Sequence, residues 1–479
     1  MSIKPVHVNL RTYQIGFGDC FLLSVGYDDE TERHCLIDFG STRYNRTAAG
    51  KKRKDGIAAH IASITGGKLH AVVASHRHKD HISGFAGKSG EVIAGLDPEI
   101  VIQPWTENPA IEIDATAPIA VGGGDRSLVQ ALGSMQEFAL HVQQQWMAFV
   151  GLEDAAKESD PEKLDVFELE KQIRKLDERP KNLFGVDMPR AVAQNALQQL
   201  LHLGLTNISN RAAVENLIAM AENANRGGYY GKYGDKVDMR GIMPGVTLWV
   251  LGPPTVAQWP SIKRKRHRDP DEFWHMRSEF WQAHAANQAL AAKGALFEGA
   301  ATISEVPFPS RWAIPKAQAV RVDQLLAITQ ALDSALNNTS LILLFEIGDK
   351  KLLFPGDAQI ENWEFVLDKA GRDTIEGRQV AELLSGVDLY KVGHHGSLNA
   401  TPKSLWAMFE NRSTSKSDPR RMFSVVSTQG DVHGSRSKNT EVPRKTLLNA
   451  LRANTHHHST QTQRAAAAFV HETQLFVGS

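Results

Sequence analysis

The chain reads His76-Arg77-His78-Lys79-Asp80-His81 directly after the apolar run Ala71 to Ala74, which predicts a buried strand that ends in a loop. Three imidazoles and one carboxylate within six residues offer neutral nitrogen and hard oxygen donors together. This mixture suits Zn²⁺, Mn²⁺ or Fe, and it leaves room for two metal ions side by side. Solvated histidines would seldom have this spacing, so the stretch predicts a metal centre at the end of a strand.

The bulk composition fits a folded protein with a full hydrophobic core. The chain has 479 residues, 42% of them hydrophobic, and a formal net charge of zero, so only local patches can argue for nucleic acid. Cys20 and Cys35 lie in or beside strand-like runs and are expected to be buried reduced thiols. Neither an apolar segment in the first nine residues nor a run of eighteen apolar residues is present, and we expect a cytoplasmic protein.

Short apolar runs separated by turns predict strands in the first hundred residues and again after residue 245. These predicted strands are Val6 to Leu10, Phe21 to Val25, Cys35 to Asp38, Ala71 to Ala74, Ile100 to Ile102, Val246 to Leu251, Leu341 to Ile347, Lys351 to Phe354, Leu389 to Val392 and Phe423 to Ser427. Ile57 to Ile64 predicts a short helix. The histidine-rich stretch Thr455 to Ser459 is expected to be a solvated loop.

Two inner segments have a helical texture instead. From Asp125 to Val150 the apolar residues recur in steps of four and three, as on one face of a helix. We therefore expect an α/β core that is interrupted by two largely helical insertions. The predicted ranges are residues 1–109 for the first half of the core, 110–225 for a helical insertion, 226–255 for a core strand region, 256–335 for a second, basic and helical insertion, and 336–479 for the second half of the core.

Three more polar clusters follow strand-like runs, and each contains a glycine that permits a tight turn. Pro355-Gly356-Asp357 ends the predicted hairpin, and Gly393-His394-His395-Gly396-Ser397 follows the Leu389 strand. Gly430 to Ser435, which contains His433, follows the Phe423 strand. Ligands at the ends of successive strands can converge on one edge of a sheet even though they are distant in sequence.

Together these stretches resemble the metallo-β-lactamase superfamily, whose first signature, H-x-H-x-D-H, is complete here. The resemblance is closest to the hydrolase domain of competence-type DNA-uptake proteins. It covers the chain from residue 7 to about 450 apart from the insertions, and it implies an αββα sandwich. The further matching motifs are G-x-G-D at Gly16 to Asp19, L-I-D-x-G at Leu36 to Gly40, L-x-P-P at Leu251 to Pro254, N-x-x-S-L-I at Asn337 to Ile342 and H-H-G-S at His394 to Ser397.

The resemblance implies a site with two divalent ions, Zn²⁺ or Mn²⁺. It assigns His76 and His78 to the first ion, Asp80, His81 and His395 to the second, and Asp357 to both. Many family members have a further lone histidine ligand, for which His141 and His202 are poor matches because they lie on helical stripes. The first metal site is therefore expected to be three-liganded, weak or completed by water.

Catalytic roles also follow from the resemblance. His394 would bind a substrate oxyanion or protonate a leaving group, and His433 would line the pocket. Asp80 is expected to be a catalytic residue as well as a metal ligand. Asp19 and Asp38 would either orient ligand imidazoles or act as ordinary carboxylates of a turn or strand end.

The implied activity is that of a metal-dependent hydrolase with a metal-bridging hydroxide, and our leading hypothesis is a phosphodiesterase or nuclease. Lys51 to Lys54 and Lys263 to Arg268 would then contact phosphates, although either run could be a solvated loop. One alternative is a hydrolase of a carboxylic ester, lactone or lactam, with Trp249, Trp274 or Trp281 in an apolar pocket wall. Another is a partner-activated effector or interaction module whose insertions bind a second copy or another protein. No membrane partner is expected.

Overall fold

Buried strands pair into two mixed sheets that are flanked by helices, so the protein belongs to the α/β class. The computed structural model describes residues 3–42, 49–108, 211–255, 257–259, 336–370, 372–397, 401–430, 441–462 and 469–478. Strands such as Cys20–Tyr27 are buried along their whole length, because both faces of the sheet are covered.

The first sheet joins both ends of the chain. Its strands, in spatial order, are β16 (Val470–Phe476), β1 (Pro5–Tyr13), β2 (Cys20–Tyr27), β3 (Glu32–Phe39), β4 (Ala71–Val73), β5 (Ile100–Pro104) and β6 (Gly228–Gly231). Pairing is antiparallel from β16 to β3 and parallel from β3 to β6. The parallel part places the ends of β3 and β4 at the same edge.

The second sheet is built mainly from the last third of the chain. Its strands, in spatial order, are β15 (His456–Ser459), β14 (Phe423–Val426), β13 (Leu389–Lys391), β10 (Lys350–Phe354), β9 (Ile342–Ile347), β8 (Val246–Gly252) and β7 (Lys236–Val237). Pairing is parallel from β15 to β10 and antiparallel from β10 to β7. A separate small ribbon pairs β11 (Thr374–Ile375) with β12 (Arg378–Gln379).

Helices cover the outer faces of the sheets. They are α1 (Ala49–Ile64), α2 (Lys79–Ile82), α3 (Gly87–Ala94), α4 (Arg211–Asn223), α5 (Ile360–Ala370), α6 (Val380–Ser385), α7 (Lys403–Met408) and α8 (Lys445–Asn454). Short 3₁₀ turns occur at Ser83–Phe85, Trp105–Glu107, His394–Gly396 and Thr460–Thr462.

Three hydrophobic clusters define four layers within one compact unit. The central cluster, with Leu10 and Phe345, lies between the two sheets. A second cluster packs α1, α3 and α4 on the outer face of the first sheet, through residues such as Leu217. A third packs α5 to α8 on the second sheet around Trp363. The order of layers is therefore helix, sheet, sheet, helix.

All ten predicted strands are confirmed, with each end within three residues of the prediction, and both cysteines are free and buried. The predicted helix at Ile57 begins earlier, at Ala49. The solvated loop predicted at Thr455 to Ser459 is wrong, since β15 pairs with the otherwise open edge of β14. The helical stretch predicted from Asp125 to Val150 lies outside the described residues. Among the residues that are described, no helix has the length and apolar character that a bilayer crossing requires.

Candidate metal centre

Loops after three strands carry the predicted metal ligands. The loop after β4 contains His76 and His78 and continues into α2, which holds Asp80 and His81. Asp357 follows β10, and His395 follows β13, the parallel neighbour of β10. Because the carboxyl ends of parallel strands meet at one edge of a sheet, this topology can bring the loops together.

Four buried side chains form the centre of the site: Asp80, His81, Asp357 and His395. One donor atom from each lies within 4.8 Å of the others. His395 Nε2 is 2.9 Å from Asp80 Oδ2, and His81 Nε2 is 3.2 Å from Asp357 Oδ1. Two nitrogen and two oxygen donors could hold a metal ion, and divalent transition metals accept this mixed set.

His76 and His78 lie beside this group. The His76 ring centroid is 4.2 Å from that of His81 and 4.7 Å from that of His78, and both His76 and His78 are buried. Arg77 between them donates from Nε and Nη2 to the Glu107 carboxylate over 2.8 and 2.6 Å. The imidazoles of His76 and His78 thus lie together beside His81, while the guanidinium of Arg77 between them binds Glu107.

Hydrogen bonds at Nδ1 determine which nitrogen each central imidazole presents to the site. His395 Nδ1 donates to the Ser427 carbonyl over 2.9 Å, and His81 Nδ1 donates to Asp38 Oδ2 over 2.7 Å. In neutral rings Nε2 is then an acceptor, and in both cases it faces a carboxylate oxygen, which is also an acceptor. Two acceptors at this distance repel each other unless a proton or a metal ion supplies positive charge.

Several donor atoms of the cluster are also buried without a hydrogen-bond partner in the part of the chain that the structure describes. Buried atoms without a hydrogen-bond partner among the described residues include His76 Nε2, His81 Nε2, Asp80 Oδ1 and Asp357 Oδ1. Each buried, unsatisfied polar atom costs about 1–3 kcal/mol. All four atoms belong to imidazole or carboxylate groups, which are common metal-binding groups in proteins, so the residues present fit a divalent ion.

The electrostatics of the cluster also favour bound positive charge. Burial alone would lower the pKa of His81, but the carboxylates of Asp357 and Asp38 raise that pKa well above its usual range. The pKa of His395 is raised in the same way, chiefly by Asp357. By contrast, burial and the neighbouring imidazoles hold the pKa of His76 well below its usual range, which keeps this ring in the neutral form that binds metals.

Two glycines allow the histidine-rich loop after β4 to pack closely against the ends of β2 and β3. Gly18 has a φ of +154°, and a Cβ atom there would lie 2.1 Å from the carbonyl oxygen of Gly40. A Cβ atom on Gly40 would lie 2.5 Å from the backbone nitrogen of His81. At the same junction the Asp19 N–H donates to the Asp80 carbonyl over 2.8 Å. A larger residue at either glycine would displace the loop.

Asp38 orients the loop through hydrogen bonds to both of its carboxylate oxygens. Oδ1 accepts from the Ser75 backbone N–H over 2.7 Å. Oδ2 accepts from Ser75 Oγ and from His81 Nδ1, each over 2.7 Å. Of the two roles considered from sequence, the geometry therefore favours an orienting carboxylate rather than an ordinary strand-end residue.

His394 is the histidine of the site that reaches solvent. Its side chain is 26% exposed, and its Nε2 lies 3.8 Å from Asp357 Oδ2. His394 and His395 have φ values of +43° and +52°, and this turn directs the two adjacent imidazoles to different surroundings. His394 is thus placed at the edge of the centre, where a substrate could reach it.

Sequence reasoning missed Lys391, the last residue of β13. Its ammonium forms an ion pair with Asp19 Oδ2 and donates to the Gly356 carbonyl over 3.1 Å. Burial by itself lowers the pKa of Lys391, but Asp19 and Asp357 raise it more, so the group stays charged. The available signal was a lysine inside the apolar run Leu389 to Val392, a position that predicts burial.

Other predicted site residues lie elsewhere. Trp249 belongs to the core on the outer face of the second sheet, where its Nε1 donates to Glu346, so it does not form a pocket wall. Arg53 and Lys54 lie in α1 rather than in a solvated loop, and Lys54 Nζ donates to the Ser83 carbonyl. Outside the described residues lie His141, His202, Lys263 to Arg268, Trp274, Trp281 and His433.

No protein-family model matches the chain, and no curated protein matches it in sequence. The site is therefore defined by the side chains that the fold brings together. Asp80, His81, Asp357 and His395 form its centre, His76 and His78 lie beside them, and His394 lies on the solvent side.

Proposed function

We propose that the chain is a metal-dependent hydrolase of the metallo-β-lactamase type and that it cleaves phosphodiesters. The proposal depends chiefly on the two imidazole Nε2 atoms, each fixed by a hydrogen bond at Nδ1 and each facing a carboxylate oxygen. A divalent cation would convert these contacts between acceptors into coordination bonds.

The layered fold supports this assignment. Two mixed sheets share a central core, and helices pack on both outer faces. The ligands come from strand ends in both sheets, as the sandwich implied by the H-x-H-x-D-H signature requires. We therefore assign the chain to the αββα architecture.

The donor set supports two divalent ions, Zn²⁺ or Mn²⁺. His76 and His78 would hold one ion, and Asp80, His81 and His395 the other. Asp357 would be shared, since its two oxygens can serve both ions. The first site has fewer protein ligands, so we expect it to lose its ion first.

The charge balance of the centre favours an anionic substrate. Counted by themselves, the buried carboxylates of Asp19, Asp38, Asp80 and Asp357 and the buried ammonium of Lys391 carry four negative charges and one positive charge. Two divalent ions would give this set a net positive charge until a bound water loses its proton, whereas one ion would leave a net negative charge. A phosphodiester supplies the compensating negative charge, and a neutral ester does not.

When bound, divalent ions in such a centre make water nucleophilic near neutral pH and stabilise the negative charge of the transition state. The residues of the chain have separate tasks. Asp38 and the Ser427 carbonyl hold the Nδ1 protons of His81 and His395, which keeps both Nε2 atoms directed at the site. His394 is placed to hydrogen-bond a phosphate oxygen and to pass a proton from its imidazole to the leaving oxygen.

Hydrolysis of bis-p-nitrophenyl phosphate and of single-stranded DNA, with Mn²⁺ or Zn²⁺ added, tests the proposal. Asp80→Ala should abolish turnover, because it removes a central ligand. Asp238→Ala, which changes an exposed aspartate that pairs with Arg240, should leave turnover unchanged. No turnover by the wild type, or equal turnover by Asp80→Ala, would refute the proposal. Cleavage of p-nitrophenyl acetate alone would exclude the phosphodiester assignment.

A further inference from the structure

Lys391 is buried in the site but has no task in the chemistry described above. Its side chain is 2% exposed, and an unpaired ammonium at that depth would cost several kcal/mol. It forms an ion pair with Asp19, donates to the Gly356 carbonyl over 3.1 Å and lies 3.9 Å from Asp357 Oδ1. The chain thus places its own cation among the carboxylates of the centre.

The partners of Lys391 connect it to both sides of the ligand set. Asp19 is fully buried, and its oxygens lie 3.6 Å from His81 Nδ1 and 3.5 Å from His395 Nδ1. Gly356 directly precedes Asp357, so the second contact of the ammonium holds the backbone that carries this ligand. Through Asp19 and Gly356, the Lys391 side chain can therefore influence the positions of His81, His395 and Asp357, three of the four central residues.

The position of the ammonium also matters for where a metal can bind. Asp19, Asp38 and His81 form a second buried group whose donor atoms lie close enough to hold an ion. Lys391 already pairs with Asp19 in this group. A metal ion is therefore directed to the Nε2 side of His81 rather than to its Nδ1 side.

We propose that Lys391 is a resident cation and a positioning residue of the metal centre. Its ammonium neutralises Asp19 and fixes Gly356, and it thereby keeps His81, His395 and Asp357 arranged for metal binding. The inference rests on the proposed metal site. Without the ammonium, Asp19 would be an unpaired buried carboxylate that competes for the Nδ1 protons of both histidines.

Zn²⁺ affinity, measured by competition with a fluorescent chelator, tests this proposal. Lys391→Met should weaken binding at least tenfold. The double variant Asp19→Asn/Lys391→Met removes both charges while keeping the shape of residue 19, and it should recover most of the lost affinity. Lys351→Met is the matched control, because Lys351 lies at the start of the adjacent strand β10 and donates to the Glu382 carbonyl. It should bind Zn²⁺ like the wild type.

The outcomes separate this inference from the proposed function. A wild type that binds no metal would overturn both. A wild type that binds Zn²⁺ while Lys391→Met binds it within twofold of the same affinity would overturn only the role of Lys391. If Lys391→Met does not fold, the folding and the Zn²⁺ affinity of the double variant test the proposal instead. A folded double variant with recovered affinity supports charge pairing, whereas one that fails to fold, or folds without affinity, overturns it.

Discussion

Replacing Asp38 by asparagine should disturb the orientation of His81 and preserve the fold. Asparagine tolerates the left-handed backbone at this position, where φ is +54°, and its carbonyl oxygen can still accept from the Ser75 N–H. Its amide NH₂, however, replaces the oxygen that accepts from His81 Nδ1. The ring can relieve this contact between donors by moving its proton to Nε2, which removes the lone pair that faces Asp357.

The size of the effect follows from the contacts that are lost. His81 Nδ1 donates to a carboxylate at 2.7 Å, and such hydrogen bonds to charged groups contribute about 1.5–3 kcal/mol. If that energy is lost from the metal-bound form, the Kd for metal rises about 10- to 100-fold. This range agrees with the usual effect of removing a partner that orients a metal-binding histidine.

Chelator competition with Zn²⁺, together with turnover of bis-p-nitrophenyl phosphate, measures this change. Asp28→Asn is the matched control: Asp28 is exposed and accepts from the Lys4 backbone N–H, so its affinity for Zn²⁺ should equal that of the wild type. Near-UV circular dichroism should show that both variants are folded. A folded Asp38→Asn protein that binds Zn²⁺ within twofold of the wild type would refute the orienting role of Asp38.

Three further predictions concern stability. Adding Mn²⁺ at a hundredfold excess over its Kd to chelator-treated protein should raise the free energy of unfolding by about 2.7 kcal/mol, and an equal rise in Asp357→Ala would contradict the proposed ligand set. Gly18→Ala should lower the free energy of unfolding by at least about 2 kcal/mol in urea titrations, because the backbone has a positive φ there and the added Cβ would clash with the Gly40 carbonyl. Gly56→Ala should raise the same free energy by about 0.5–1 kcal/mol, because residue 56 lies in α1 with open space around it. Equal effects of the two substitutions would refute the packing argument. Burial lowers the pKa of His70 to about 3, so the unfolded chain binds a proton that the folded chain excludes, and stability should fall as the pH drops from about 6.5 towards 3, by up to about 1.4 kcal/mol per pH unit. His70→Asn keeps an acceptor for the His34 N–H and should flatten this dependence, and parallel curves for the two proteins would argue against it.

The side chains that meet in the central cluster could be picked out from the sequence, because each follows an apolar run that becomes a strand. Asp357 and His395 were predictable in this way, since a glycine and a strand end mark both positions. The pairing of Lys391 with Asp19 was not predictable, because the contact depends on the packing of one sheet on the other. Local patterns carry no information about such distant partners.

One element prediction failed and another placed the start of a helix too late, for related reasons. The stretch from His456 to His458 is polar and has no alternation of apolar residues, yet it forms β15 because the edge of β14 offers unpaired backbone groups. Helix α1 begins at Ala49, although the basic residues that follow have no apolar periodicity. Contacts of Arg53 with Gln14 and of Lys54 with Ser83 anchor that part of the helix to the rest of the fold. In both cases tertiary contacts outweigh the local pattern.

The proposed ligands are divided between the two sheets, and Asp80 and His395, which meet at the centre, are 315 positions apart in the chain. A bound ion would therefore cross-link the sandwich along one rim, and neither sheet alone has a complete set of donors. Removing the ion should let the sheets part first at that rim. Amide hydrogen exchange at Val73 and Val392 should then accelerate, while exchange at Leu248 stays slow.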